Sequence, residues 1–292
     1  MFVQASSIFG TKFVLLFFTL ASSIVTSRFL GVEARGHYFF LISVTALLIQ
    51  FLNLGFQSSI VFYISKKPTV AAKMYQAILC YILLVSLLAI ACLGVAFTLG
   101  TSFGIAVGLI ALITLPALHF LFATNILLAQ QRFKDFNVLE IFSRIASFLG
   151  IVVAAIIGFS HNGYLLMLGV ANVLILVVIH FKYMSLPWDD SFKLKHSLKW
   201  APYGFKIYFA SLFGFLALKL NIFFANHYLS DTELGLLSIS SQLSDIILFL
   251  PISIATVLFP KLSSGESFSL KKLSMIVFAS MILMWCGVVF VG

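Results

Sequence analysis

Apolar runs long enough to cross a bilayer follow one another along almost the whole chain, and they leave room for one kind of fold. A spanning helix needs about 20 mostly apolar residues. Runs of that kind are read at 6–28, 37–64, 74–98, 104–130, 138–159, 163–182, 203–227, 235–259 and 273–292. The short alternating segments of a β-barrel are not seen. With 62% apolar and 9% charged residues over 292 positions, a water-soluble fold could not hide so much apolar surface. The sequence predicts an all-α, polytopic membrane helical bundle of about nine spans. Gly, Ser and Thr scattered inside the runs fit helices that pack closely in lipid.

In a soluble protein the net charge of +9 would raise the question of nucleic acid. Here the cations fall into alternate loops. Lys66, Lys67 and Lys73 share one, Arg132 and Lys134 another, Lys182, Lys193, Lys195 and Lys199 a third, and Lys261, Lys271 and Lys272 a fourth. The intervening loops hold Arg28 and Arg35, then no Lys or Arg around 99–103, 159–163 or 228–234. This positive-inside pattern places the amino terminus in the cytoplasm and makes the basic loops orientation signals rather than binding sites. Cys80, Cys92 and Cys286 lie within apolar runs without ligand spacing, so they read as buried free thiols. Neither a disulfide, a metal nor another cofactor is implied. The first run is too long for a signal peptide and lacks a cleavage site, so it reads as retained.

Two stretches echo each other. FLGVEARG (29–36) joins the first two spans and YLSDTELG (228–235) joins the seventh and eighth. In each, an aromatic-Leu pair ends one helix, a turn carries an acid, and Gly opens the next. The echo predicts two parallel lobes related by an axis along the membrane normal. Residues 1–182 form a six-helix lobe and 203–292 begin the second. Between them, 183–202 reads as an interfacial linker, with Trp188, Leu194, Leu198 and Trp200 beside lysines. The second lobe ends within its third helix, so the chain is expected to be a fragment.

At 3.6 residues per turn the polar positions sort into faces. The first span aligns Gln4, Ser7, Thr11, Thr19, Ser22 and Thr26; the second Ser43, Gln50, Asn53 and Gln57. The seventh aligns Tyr208, Ser211, Lys219 and Asn226; the eighth Ser238, Ser241, Gln242 and Asp245. The third has almost no polar face. These four faces predict a wet cavity between the lobes, although Ser, Thr, Asn and Gln also serve as glue between helices. Lys219 lies deep in its span, where a charge costs about 3 kcal/mol or more. Asp245 lies at comparable depth. The two either neutralise each other as a structural pair or handle an anionic ligand or a proton. Glu140 and Arg144, spaced i, i+4 near the basic-loop end, read as a self-contained pair. Lys12 is close enough to that end to snorkel. Arg28 either rings the cavity mouth or binds lipid phosphate. His119, beside Pro116, reads as a packed polar residue at a kink, and Pro251 as a further kink.

RFLGVEARGHY (28–38), FLNLGFQSS (51–59) and SKKP (65–68), with QQRF (130–133) and FPKL (259–262), resemble Wzx-type polysaccharide flippases of the MATE-like exporter superfamily. That resemblance implies a two-lobe MATE-like architecture with the second lobe incomplete. It implies flipping of undecaprenyl-diphosphate-linked oligosaccharide across a bacterial inner membrane for surface polysaccharide or O-antigen biosynthesis. Polysaccharide polymerase and glycosyltransferases of the same pathway would be partners, and no enzyme activity is expected. On this reading Arg28 and Lys219 contact phosphate or acidic sugar. Gln50, Asn53, Gln57 and Gln242 hydrogen-bond sugar hydroxyls, and Asp245 pairs with charge. The alternatives are a MATE-like exporter of cationic drugs, which favours an acidic cavity, and a membrane glycan ligase or polymerase, which needs a large outward loop. Glu33, Asp231 and Glu233 sit near helix ends, where turn and capping roles account for them.

Overall fold

The computed structural model describes residues 2–183 and 200–247, together with 278 and 282; side chains are described from Gly10 onward, except at 201 and 243–247. The linker tryptophan Trp188, Pro251, the FPKL motif, the 273–292 span, Cys286 and the side chains of Gln4, Ser7 and Asp245 fall outside the described residues. The described chain is helical throughout its ordered elements. These are α1 (Phe2–Leu30), α2 (Val32–Asn53), α3 (Phe56–Lys66), α4 (Ala71–Leu99), α5 (Thr101–Ala129), α6 (Phe133–Ile157), α7 (His161–Val178), α8 (Ala201–Tyr228) and α9 (Asp231–Ile247). Among the described residues, seven helices are long and apolar enough to cross a membrane.

The run at 37–64 reads as one span, but the structure breaks it. Leu54 and Gly55 both take left-handed backbone, with φ of 45° and 78°, and separate α2 from α3. A break inside lipid must dispose of the backbone groups it frees. It does so with side chains from three directions. The Asn53 Oδ1 accepts the Gln57 N–H at 3.1 Å, capping α3. The Tyr81 hydroxyl donates to the Leu52 carbonyl at 2.6 Å, and the Tyr208 hydroxyl to the Phe51 carbonyl at 3.3 Å.

The main core lies at the Lys66 end of the bundle. There α3, α4, α5 and the start of α6 bury Ile60, Ile64, Met74, Ile78, Leu118, Phe122, Ile126 and Leu139. Pro116 lies within α5, and one turn on His119 is buried, its Nε2 3.4 Å from the Tyr75 hydroxyl, a packed polar residue as its position suggested. Along α4, Leu83, Leu87, Leu88 and Ile90 are exposed, which fits a helix with one side in lipid and no polar face. The same exposure corrects the reading of the thiols: Cys80 and Cys92 are free but exposed on α4, not buried, because they fall on its outward side.

Two tight seams join α8 and α9 to the first part of the chain, one at each end of the bundle. At the turn end, α2 meets α9 through reciprocal glycines. A Cβ on Gly36 would strike the Asp231 carbonyl, and a Cβ on Gly235 the Val32 carbonyl. Val32 and Gly36 occupy the same places in their stretch as Asp231 and Gly235 do in theirs, so the two echoing sequences pack against each other. At the Lys66 end, Gly55 at the break meets Gly204 of α8 so closely that a Cβ on either would collide with the other's carbonyl. Beside it the Ser59 hydroxyl donates to the Trp200 carbonyl at 2.8 Å, and the rings of Phe62 and Tyr203 stack 3.9 Å apart.

Candidate functional site: a hydroxyl-lined cavity with two cations

Between the seams lies a cavity of about 300 Å³, walled by α1, α2, α6, α7, α8 and α9. Its hydroxyls come from Thr19, Ser22, Ser23 and Thr26 on α1, Ser43 on α2 and Ser147 on α6. Of the expected polar faces, α1 brings Thr19, Ser22 and Thr26 to this wall, whereas α2 brings Ser43 alone. Several of these hydroxyls return their hydrogen to their own helix. Thr19 donates to the Leu15 carbonyl at 2.8 Å, Thr26 to that of Ser22 at 2.9 Å, and Ser43 to that of Phe39 at 2.8 Å. Each satisfies its proton by helical back-bonding and keeps its lone pairs. That wall therefore offers acceptors to a guest.

Donors come from elsewhere. Arg144 and Lys219 both line the cavity, from α6 and α8, and Gln242 joins them from α9. The Gln242 Oε1 is buried with no hydrogen-bond partner among the described residues. No carboxylate appears among the described lining residues. Arg144 departs from the expected pairing. Its helix starts at Phe133, earlier than the apolar run suggests, which puts Arg144 at the midpoint of α6 rather than near an end. Glu140 pairs instead across to α1, its carboxylate 3.7 Å from the Lys12 ammonium, with both side chains largely buried. Lys12 therefore ends on an acid and does not need to snorkel.

The other residues expected at the site divide plainly. Lys219 and Gln242 are in the cavity wall. Gln50 is half-buried outside it, its Nε2 donating to the Ser211 hydroxyl at 3.2 Å and tying α2 to α8. Asn53 is wholly buried at the helix break, where it caps α3. Gln57 supplies the capped N–H and is absent from the described lining, and Arg28 is exposed at the end of α1, also outside the lining. The expected partner of Lys219, Asp245, has its side chain outside the described residues. Sequence reasoning missed Arg144 and Arg35. Arg144 had a signal, a cation surrounded by Phe142, Ile145 and Ala146 in an apolar run. Arg35 was read as a loop charge, yet it is 2% exposed inside the α2–α9 seam.

The sequence profile of the polysaccharide biosynthesis protein family matches residues 6–266. The chain belongs to that family. No curated protein matches the sequence. Two solved structures share its fold. A chain described as protein A superposes with a TM-score of 0.74 at 16% identity, covering 98% of this chain and 70% of its own. The MATE multidrug transporter DinF-BH superposes with a TM-score of 0.70 at 17% identity, covering 90% and 64%. The expected membership of a polysaccharide-biosynthesis family is borne out by that match, and the expected all-α membrane helical bundle of MATE-like fold by the superposition. Family and fold together describe a multi-pass helical membrane protein of polysaccharide biosynthesis.

Proposed function

We propose that this protein flips undecaprenyl-diphosphate-linked oligosaccharide across the bacterial inner membrane, with its amino terminus in the cytoplasm. The observation that carries the reading is the composition of the cavity in a chain of this family: Arg144 and Lys219 reach it from α6 and α8, opposite a wall of hydroxyl acceptors. A diphosphate is an acceptor-only dianion and calls for N–H donors carrying charge, which Arg144 and Lys219 supply. Sugar hydroxyls donate readily, and the lone pairs of Thr19, Thr26 and Ser43 receive them. The polyprenyl tail stays in lipid beside the lobes. Rocking of the two lobes about the cavity presents the head to one side and then the other. Gln50, Asn53 and Gln57 support this cycle from outside the described lining, by joining and capping helices, and Arg28, exposed at the end of α1, meets phosphate at the turn-end face.

Expression of Arg144→Ala, Lys219→Ala and the double variant in cells that depend on the chain for surface glycan tests the proposal. Each single variant is expected to lower glycan export about tenfold or more at equal protein level, the cost of one charge-assisted hydrogen bond or more. Unchanged export in the double variant overturns it. The MATE-like fold also raises drug export as a rival reading. A cationic cavity repels cationic drugs, so drug resistance unaffected by the chain supports the lipid-linked cargo, and resistance conferred by it favours the rival.

A further inference from the structure

We propose that Arg35 is a positioning residue for transport: its guanidinium latches α2 to α9 at the turn end, and loss of its bond to Ser238 lets that seam part. The inference concerns the seam and holds for any cargo.

Arg35 is 2% exposed and donates in three directions. Its Nε reaches the Ser238 hydroxyl of α9 at 2.7 Å. Its Nη1 reaches the Ser23 carbonyl of α1 at 3.0 Å, and its Nη2 the Ser23 hydroxyl at 2.8 Å. Ser238 is wholly buried and passes its own hydrogen to the Gly235 carbonyl. The link between α2 and α9 thus runs from guanidinium to hydroxyl to the glycine of the seam itself.

Three features make this a latch rather than a permanent weld. These partners are hydroxyls and a carbonyl, with no carboxylate among them. A buried cation held by neutral groups is a costly way to fix two helices that apolar packing would hold as well. Two of the three bonds stay on Ser23, beside Arg35's own helix, and one crosses to α9. Parting the seam therefore breaks one bond and leaves the guanidinium seated. Finally, the closest approach in the seam is at reciprocal glycines, which bring no side chain of their own to interlock there. Ser23 also walls the cavity, so the latch sits one side chain from whatever occupies it.

A reporter lies on the same seam. His37 and Asp231 approach to 3.0 Å at partly exposed positions. In the full chain, in membranes, with Cys80, Cys92 and Cys286 replaced by Ser, a His37→Cys and Asp231→Cys pair forms a disulfide when the seam is closed. Arg35→Gln and Ser238→Ala are each expected to slow crosslinking about tenfold, the population change that one lost hydrogen bond brings. Ser238→Asp gives the guanidinium a carboxylate and is expected to speed crosslinking above the parent, a gain that Arg35→Gln abolishes. Equal crosslinking in Ser238→Ala and parent, or no gain in Ser238→Asp, overturns the latch. If Arg35→Gln fails to accumulate, the two Ser238 variants, which keep the guanidinium, decide the matter. Crosslinking is read without cargo, so a glycan assay that sinks the flippase proposal leaves this one standing.

Discussion

A hydroxyl that returns its proton to the carbonyl four residues back keeps only lone pairs for a guest, so Thr and Ser on α1 and α2 differ in kind from the cavity's cations. Replacing Thr19 or Thr26 by Val keeps the shape and removes the acceptor. Each is expected to weaken export of a sugar-bearing cargo about threefold, well short of the loss at Lys219, because one neutral hydrogen bond is worth less than a charged one. Glycan export at matched expression checks the ordering. Asn53 belongs to another group. Its carboxamide caps α3, so Asn53→Ala is expected to cost ~1 kcal/mol of stability, and Asn53→Asp more, because it keeps the acceptor but places a carboxylate at a wholly buried site. Thermal unfolding in detergent checks this, with export falling only as far as protein level falls.

Along an element, the backbone decides more than the side-chain pattern reveals. The α2–α3 break is held by the Tyr81 and Tyr208 hydroxyls on two freed carbonyls. Tyr81→Phe and Tyr208→Phe each orphan one, at a cost of about 1 kcal/mol apiece, and hydrogen exchange at residues 52–58 is expected to quicken in both. The run 37–64 concealed this break because its apolar character continues straight through Leu54; only Asn53 and Gly55, common turn residues, hinted at it. The sequence reading opens α9 at Gly235, but the helix begins four residues earlier, at Asp231. Ser230 and Glu233 form a capping box: the Glu233 carboxylate accepts the Ser230 N–H at 2.8 Å and its hydroxyl at 2.9 Å. Those two bonds hold the Glu233 carboxyl below its ordinary range. A lowered folded value means the cap is fully present above the unfolded pKa and is lost as pH falls through the folded one. Amide exchange at 231–235 is therefore expected to stay slow near neutrality and to quicken only below the usual carboxylate range; Glu233→Gln removes that step.

For the molecule as a whole, the echo between 29–36 and 228–235 is legible in the sequence, and the two stretches pack on each other as one contact surface. Arg35 was not legible, because its cross-seam partner lies 203 positions away and no local pattern encodes such a distance. The same limit hid the pairing of Gly55 with Gly204. Both seams bring backbone against backbone at opposite ends of the cavity, and a methyl group at either has nowhere to go. Gly36→Ala therefore wedges the turn end apart, and Gly204→Ala wedges the Lys66 end. If the seams close in alternation around one cavity, the two wedges push in opposite directions. A cysteine placed at Ser43 in the cavity wall reads this out with an impermeant thiol reagent applied to each face of oriented vesicles. Gly36→Ala is expected to raise labelling from the turn-end face and lower it from the other, and Gly204→Ala to do the reverse. Both wedges raising labelling from the same face would mean that the seams are static packing, and that the cavity opens by some route other than the two glycine contacts.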